Sequence, residues 1–315
     1  MLRPVKVDDL KIGMYVKLGE QAKLLPLFEE SFMISREEQI VNIIDKGLVL
    51  INVDTEMSET EVPLDEDFNP LEMISGELKE TIEDENMPKR DKAKAVYNHS
   101  IKMMKEILET PTRENVLSGK QMIGDMVDLI LTDNETADCL TQITSYDYYT
   151  YTHSVNVGLF GVLLAKAAFG EHADHDMREL GAAFFLHDLG KCSIPIDVLN
   201  KPGRLTEEEW ELMRMHPTNG ESLLRGTGHL TSECSLIVLQ HHEREDGTGY
   251  PNGLNRYRIH VYAHICALAD VYDALTSVRP YKKNLTTFEA LKIMKDEMVS
   301  HFNRELFEKF VLLFK

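Results

Sequence analysis

The chain has 315 residues, of which 43% are hydrophobic, and it carries a formal net charge of −19. This length indicates one large or two ordinary domains, and the acidic charge argues against binding of polymeric nucleic acid, which needs a basic face. The N-terminus lacks an apolar signal segment, and apolar runs such as 157–169 are too short to span a bilayer. We therefore expect a cytoplasmic protein with no membrane association.

Residues 1–68 are predicted to form a small α/β N-terminal domain. Ser35 and Glu38 form the pattern of a capping box at the start of a helix, and residues 48–53 are apolar enough for a strand. This segment contains no catalytic constellation. A regulatory role, with a protein partner or self-association through this domain, and a purely structural role both stay open.

The rest of the chain is predicted to be helical after an acidic connection. Residues 69–92 contain many acids and few apolar side chains, which is typical of a solvated linker that can include some helix. Residues 93–315 show apolar spacing of the helical kind nearly throughout, so an all-α helical bundle is expected.

Side chains that suit metal ions are scattered over the helical region. Each has an ordinary alternative, because a single histidine on an apolar face is more often a core residue and a buried aspartate can accept hydrogen bonds. Burying all of them without a counterion would be costly, and a metal cluster would remove that cost. The candidate ligands are His153, His187, Asp188, His216, His241, His242 and Asp270.

Four sequence blocks carry a family resemblance. They are His-Asp-Leu-Gly-Lys at 187–191, His-Pro-x-x-Gly at 216–220, His-His-Glu-Arg-Glu-Asp-Gly-Thr-Gly-Tyr-Pro at 241–251, and Asp-Val-Tyr-Asp-Ala-Leu-Thr-Ser-Val-Arg-Pro-Tyr-Lys at 270–282. In combination, the chain resembles the HD-GYP subgroup of HD-domain phosphohydrolases over residues 146–283. Residues 1–54 resemble, more weakly, the small domain often found ahead of this catalytic unit.

The resemblance implies an HD-type catalytic domain that hydrolyses cyclic di-GMP. It implies that the seven candidate ligands bind the metal, with Asp188 bridging two ions and a bridging hydroxide acting as nucleophile. Asp188 and Lys191 are the implied catalytic residues. The implied substrate contacts are Lys191, Tyr250, Asp273, Arg279 and Lys282, although Arg279 and Pro280 also fit a plain helix end.

One departure from the family bears on the number of metal ions. Some members carry a glutamate four residues before the first histidine, where it helps to hold a third ion. Here that position is Tyr149, which is not an anionic ligand at neutral pH, and Asp147 falls on a different helical face. We therefore expect two divalent ions, iron or manganese, and linear pGpG as the main product.

Two other functions compete with cyclic di-GMP hydrolysis. The same pocket could sense a cyclic dinucleotide with little turnover, or it could hydrolyse another one such as cyclic GMP-AMP. The intact ligand set and Lys191 favour catalysis over sensing. A third interpretation, hydrolysis of ordinary nucleotides, is disfavoured by the Gly-Tyr-Pro block and by Arg279 and Lys282.

Overall fold

A computed structural model describes most of the chain, as two units that we treat separately. The described residues are 2–18, 25, 28–46, 48, 50–62, 69–143, 150–170, 175–228, 231–277 and 285–315. The first unit is Met1–Asn69 and the second is Pro70–Lys315.

In its described residues, the first unit contains a four-stranded antiparallel sheet and one α-helix, which confirms the predicted small α/β fold. Its strands are β1 (Leu2–Lys6), β2 (Tyr15–Lys17), β3 (Ser31–Met33) and β4 (Leu50–Asp54), in the order β1-β4-β2-β3, and its helix is α1 (Glu37–Asp45). Val16 lies opposite Val53 in the sheet, and both are fully buried in the core of this unit. The capping interaction of α1 is made by Gln39 rather than Glu38, because the Gln39 side chain accepts hydrogen bonds from the backbone before the helix.

The predicted linker at 69–92 needs correction. Residues Pro70–Glu83 form helix α2, whose Leu71, Ile74 and Leu78 are buried in the core of the second unit. The acidic side chains that suggested a linker lie between these apolar positions, which recur at helical spacing. Because α2 packs against the next helices, the second unit begins at residue 70.

The second unit is a bundle of helices, as predicted. Apart from one isolated bridge between Asp246 and Asn255, its described residues form no β-pairing. After α2 the helices are α3 (Lys89–Glu109), α4 (Arg113–Thr132), α5 (Asn134–Ile143), α6 (Thr150–Phe169), α7 (Met177–Leu186), α8 (Ile196–Leu199), α9 (Glu207–Met213), α10 (His216–Gly226), α11 (Ser232–Gln240), α12 (Val261–Thr276), α13 (Thr287–Glu297) and α14 (Arg304–Leu312).

Helix α6 is the central helix of this bundle and packs closely on α7 and α12. Gly158 permits this approach, since a Cβ there would lie 2.2 Å from the ring of Phe185 on α7. In the described part of the chain, α6 alone is long and apolar enough to cross a membrane, but 78% of its apolar window is buried inside the protein. Its composition therefore fits a core helix, and its first turn carries His153.

Candidate metal centre

His187 and Asp188 lie at the point where helix α7 ends. His187 is the C-terminal cap of α7, and Asp188 leaves the helical conformation with φ −98° and ψ 9° before a 3₁₀ turn over Leu189–Ser193. In a continuous helix adjacent side chains point about 100° apart. The change of backbone conformation at Asp188 lets both side chains reach one cluster, with His187 Nε2 3.5 Å from Asp188 Oδ2.

Gly190 brings the 3₁₀ turn against the start of helix α10. A Cβ at this position would lie 1.9 Å from the carbonyl oxygen of His216 and 2.4 Å from the backbone nitrogen of Gly220. Only glycine allows two backbones to approach so closely. The consequence is that His216, the first residue of α10, reaches Asp188 with its Nε2 3.2 Å from Oδ1.

Three further elements complete the cluster. His153 lies in the first turn of α6, Asp270 is in the middle of α12, and His241 and His242 directly follow α11. The structure therefore brings together side chains from all the segments in which candidate ligands were predicted. The seven are His153, His187, Asp188, His216, His241, His242 and Asp270.

Asp188 lies at the centre of the cluster and belongs to two groups of candidate ligands. In one group, ligand atoms of Asp188, His216, His241 and His242 all lie within 4.8 Å of one another, and in the other those of His153, His187 and Asp188 do. Asp270 connects the two groups, because its Oδ1 is 3.3 Å from His153 Nε2 and its Oδ2 is 3.5 Å from His242 Nδ1. The arrangement matches two neighbouring sites that share one carboxylate.

The hydrogen bonds of three imidazoles direct their Nε2 lone pairs into the cluster, where a metal could bind them. The Nδ1–H groups of His187, His216 and His241 each donate to a backbone carbonyl three residues earlier, at 2.8 Å in every case. A neutral imidazole with a donating Nδ1 carries its lone pair on Nε2. These three Nε2 atoms face the interior of the cluster, where Asp188 lies.

Buried lone pairs of nitrogen and oxygen atoms face one another in the cluster. A cation bound between them would remove their mutual repulsion. His187 Nε2 and Asp188 Oδ1 are buried, and neither has a hydrogen-bond partner among the described residues. Burial lowers the pKa of His187 to about 3 and that of His216 below its usual range, so both imidazoles are neutral at pH 7. Neutral imidazoles and a carboxylate form a donor set suited to divalent transition metals. The residues present therefore fit a divalent metal centre.

His153 differs from the other histidines of the cluster because three carboxylates, those of Asp188, Asp270 and Asp273, lie next to its ring. Burial alone would lower its pKa, but hydrogen bonds with Asp188, Asp270 and Asp273 raise the pKa well above the usual histidine value. Burial would raise the pKa of Asp188, and the nearby positive charge of Lys191 lowers it well below the usual value instead. Binding of a cation at this cluster would compete with the proton on His153.

Asp273, which the sequence resemblance gave as a substrate contact, binds the side of His153 that points away from the cluster. Its side chain is 2% exposed, its Oδ2 accepts a hydrogen bond from His153 Nδ1 at 2.7 Å, and its Oδ1 accepts one from Asn156 Nδ2 at 2.6 Å. Asn156 Oδ1 in turn accepts from the hydroxyl of Tyr97 on α3 at 2.7 Å. A carboxylate in this position fixes the orientation of a ligand and increases its basicity.

The loop with the Gly-Tyr-Pro block closes one side of the cluster. The ring of Tyr250 lies 4.6 Å from that of His242 and 6.3 Å from that of His216, centroid to centroid. Glu243 fixes this loop, because its buried carboxylate accepts hydrogen bonds from the backbone N–H groups of Asn252 and Leu254 at 2.7 and 2.8 Å. Tyr250 therefore lies beside two of the candidate ligands, at the edge of the cluster.

Lys191 lies at the edge of the same cluster. Its ammonium group donates a hydrogen bond to Asp188 Oδ2, and its side chain is 15% exposed. It is thus close enough to act on a group bound beside Asp188. The expected substrate contacts Arg279 and Lys282, and the residues Tyr149 and Asp147 that bear on a third ion, lie outside the described residues.

Sequence reasoning missed the residues that support the ligands. Asn156 is three positions after His153 on α6, and this spacing places both on one helical face, so it offered a usable signal. Glu243 lies in the His-His-Glu block, but only the structure shows that it binds the loop backbone. Tyr97 gave no signal, because it is 59 residues from Asn156 in the chain.

Comparison with protein families identifies two segments. Residues 162–306 match a family described as the HD domain. Residues 2–120 match a domain of unknown function (DUF3391). The second match extends beyond the first structural unit and includes α3, the helix that carries Tyr97.

Several curated relatives are named as phosphodiesterases of cyclic dinucleotides. A cyclic di-GMP phosphodiesterase from Pseudomonas aeruginosa, PA4108, is 44% identical over 172 residues, which are 55% of this chain and 41% of that protein. The cyclic di-GMP phosphodiesterase response regulator RpfG from Xanthomonas campestris is 48% identical over 120 residues, 38% of this chain and 32% of that protein. Three proteins from Vibrio cholerae, 34–35% identical, are named 3'3'-cGAMP-specific phosphodiesterases. The chain spans less than half the length of these relatives.

One solved structure shares the fold over the whole chain. It is Bd1817, an HDG"Y"P protein from Bdellovibrio bacteriovorus, with a TM-score of 0.69, 19% identity, and coverage of 100% of this chain and 99% of that one. The helical fold, the HD-domain match and the cyclic di-GMP phosphodiesterase relatives agree with the four sequence blocks. Residues 162–306 therefore match the HD-domain family, and the chain carries the four sequence blocks by which it resembles the HD-GYP subgroup.

Proposed function

We propose that this protein is a metal-dependent phosphodiesterase that hydrolyses cyclic di-GMP, mainly to linear pGpG. The observation that carries the proposal is the pair of ligand groups that share Asp188, with uncompensated lone pairs directed into the cluster. The names of the relatives from Pseudomonas and Xanthomonas supply the substrate class. A cytoplasmic location, expected from the sequence, is part of the same proposal.

The proposed ligands are the seven residues of the cluster. Divalent ions bound there would polarise a phosphodiester and supply a water-derived nucleophile at neutral pH. Two ions rather than three follow from Tyr149, which stands where some members of the family carry a glutamate, and mixed histidine and carboxylate ligands favour iron or manganese. Two ions are also consistent with the two groups that meet at Asp188.

The remaining residues of the site have separate tasks in this proposal. Lys191, beside Asp188, would stabilise the negative charge that develops on the phosphoryl group. Asp273 would keep His153 oriented through its 2.7 Å hydrogen bond. Tyr250 would contact the substrate at the rim, together with Arg279 and Lys282.

Hydrolysis of 3'3'-cGAMP is the second candidate. The observation that favours it is the set of Vibrio cholerae relatives named for that substrate. Their identity of 34–35% is lower than the 44–48% of the two cyclic di-GMP phosphodiesterases quoted above. We therefore place cyclic di-GMP first.

The proposal is tested by a cleavage assay with protein purified without oxygen and supplied with Fe²⁺ or Mn²⁺. Cyclic di-GMP and 3'3'-cGAMP are incubated separately, and the products are resolved by anion-exchange chromatography. We expect linear pGpG from cyclic di-GMP as the main product, and loss of activity together with metal in Asp188→Ala. Asp296→Ala, a change at an exposed position of α13, serves as the matched control.

Two results would contradict the proposal. Metal-loaded wild-type protein that binds cyclic di-GMP without cleaving it would indicate a sensor. Faster cleavage of 3'3'-cGAMP than of cyclic di-GMP would assign the second candidate function instead.

A further inference from the structure

Arg214 lies between two aromatic rings at the rim of the metal centre. Its guanidinium carbon is 5.8 Å from the ring centroid of Trp210 and 6.0 Å from that of Tyr250. Both distances are within the roughly 6 Å range of cation–π interactions. Contacts of this kind orient the planar guanidinium, while its N–H groups stay available to an oxyanion.

Arg214 lies close to the metal ligands both along the chain and in space. Along the chain it caps the end of α9, two residues before His216, which begins α10. Through space, Arg214 and His242 both lie beside the ring of Tyr250, whose centroid is 6.0 Å from the Arg214 guanidinium carbon and 4.6 Å from the His242 centroid. The guanidinium is therefore held one aromatic ring away from the cluster.

Arg214 forms no ion pair with a carboxylate of the described residues. Three of the described arginines of this unit do form ion pairs: Arg178 with Asp128, Arg225 with Glu221 and Arg304 with Glu308. Arg214 is exposed and makes no such ion pair, in a protein whose net charge is −19. A cation at the rim of an otherwise acidic protein creates a local site that attracts anions.

We propose that Arg214, positioned by Trp210 and Tyr250, binds the phosphate of the cyclic dinucleotide that is not being cleaved. This inference rests on the proposed function, because it needs a substrate with a second phosphate beyond the one at the metal centre. Arginine suits this task, since its fork of N–H groups can donate two parallel hydrogen bonds to phosphate oxygens. Arg214 thereby selects dinucleotides over diesters with a single phosphate.

Steady-state kinetics of Arg214→Gln tests the assignment. The KM for cyclic di-GMP should rise about tenfold or more, with kcat within about threefold of wild type, because a contact made equally in ground and transition states changes KM alone. The KM of Arg214→Lys should lie between those of wild type and Arg214→Gln, since lysine keeps the positive charge but lacks the forked N–H groups of arginine. Arg304→Gln, an exposed arginine on α14, is the matched control.

A substrate with one phosphate distinguishes binding of the second phosphate by Arg214 from a general effect of the substitution on the metal centre. With bis(4-nitrophenyl) phosphate, the KM increase caused by Arg214→Gln should be at least about five times smaller than with cyclic di-GMP. Equal increases for both substrates would contradict the second-phosphate assignment. Metal content, measured for every variant, should be that of wild type, and loss of metal in Arg214→Gln would show a structural role instead.

Trp210 provides a direct binding signal, because it is the single tryptophan of the chain. The fluorescence emission of Trp210 should change when cyclic di-GMP is added to the metal-loaded Lys191→Ala variant, whose turnover is slowed. In the double variant Lys191→Ala/Arg214→Gln, the apparent affinity for cyclic di-GMP should be about tenfold weaker. Wild-type cleavage of cyclic di-GMP with an unchanged KM in Arg214→Gln would overturn the role of Arg214 alone. Wild type that neither cleaves nor binds cyclic di-GMP would overturn both the proposed function and this inference.

Discussion

Asp273 Oδ2 accepts a hydrogen bond from His153 Nδ1 at 2.7 Å, and this contact determines which nitrogen of His153 faces the metal centre. Because Nδ1 is engaged, Nε2 is directed to Asp188 and Asp270, at 3.4 and 3.3 Å. The sequence block that contains Asp270 and Asp273 thus contributes one residue inside the cluster and one behind it.

Asp273→Ala should weaken metal binding without removing a ligand. We expect a loss of about 10- to 100-fold in metal affinity, which is typical for the removal of a carboxylate that orients a ligating histidine. Calorimetric titration of the metal-free protein with Mn²⁺ measures this affinity. Asp296→Ala should leave the affinity unchanged, and a wild-type affinity in Asp273→Ala would return Asp273 to the substrate-binding role expected from the sequence.

Gly190→Ala should separate Asp188 from His216. The added Cβ would lie 1.9 Å from the His216 carbonyl oxygen, so α10 or the 3₁₀ turn must move. Since displacements of about 1 Å can cost about 100-fold in rate, we expect loss of at least that factor in cleavage, together with a lower Tm. Gly226→Ala is the control at the other end of α10, where an added Cβ meets nothing within 4 Å. Equal activity of the two variants would refute the close-approach argument.

Glu243→Ala should loosen the loop that carries Tyr250 while leaving the metal ligands in place. The change removes the acceptor for the N–H groups of Asn252 and Leu254. We expect the KM for cyclic di-GMP to rise about five- to tenfold, because two hydrogen bonds to a charged group are lost and the rim of the site becomes disordered. Glu305→Ala on α14 is the exposed control. A variant that retains wild-type KM, or one that loses its metal, would contradict a role confined to the loop.

Asp133 should contribute to stability in a defined pH range. Burial opposes ionisation of Asp133, but hydrogen bonds from Lys89 and Thr136 lower its pKa from 3.8 to about 2. A carboxyl group whose pKa is lower in the folded protein stabilises the fold above its unfolded pKa, and this contribution is lost as pH falls from about 4 to about 2. Asp133→Asn should therefore be less stable at pH 7, by about 0.5–1 kcal/mol for a largely solvated pair.

Urea unfolding between pH 7 and pH 2.5 measures this difference, with Asp296→Asn as the exposed control. The stability of Asp133→Asn and wild type should converge as the pH approaches the lower limit. A difference that stays constant over the whole range would show that the carboxylate charge is not the cause.

The sequence predicted the parts of this molecule that depend on local patterns and on motif blocks. The small sheet, the helical bundle and the meeting of His153 with Asp188 and Asp270 all follow from such patterns. Residues 70–83 were misassigned because their acids dominate the composition, whereas Leu71, Ile74 and Leu78 decide the structure by burying one face. Apolar spacing was the stronger signal in this segment.

Contacts between distant segments could not be predicted in the same way. The hydroxyl of Tyr97 reaches Asn156 only after α3 packs against α6. Asp273 was assigned to substrate by resemblance, and only the packing of α12 on α6 shows that its carboxylate lies behind His153. In both residues the function depends on which face of a helix is covered, which a single sequence does not specify.

Anomalous X-ray diffraction from crystals of protein purified without oxygen tests the metal centre most directly. Data collected on both sides of the iron and manganese absorption edges identify the ions and their positions. We predict two anomalous peaks inside the cluster, one on each side of Asp188, with His153 and His187 at one and His216, His241 and His242 at the other. A third peak, or the absence of any peak among these residues in metal-loaded crystals, would contradict the two-metal centre.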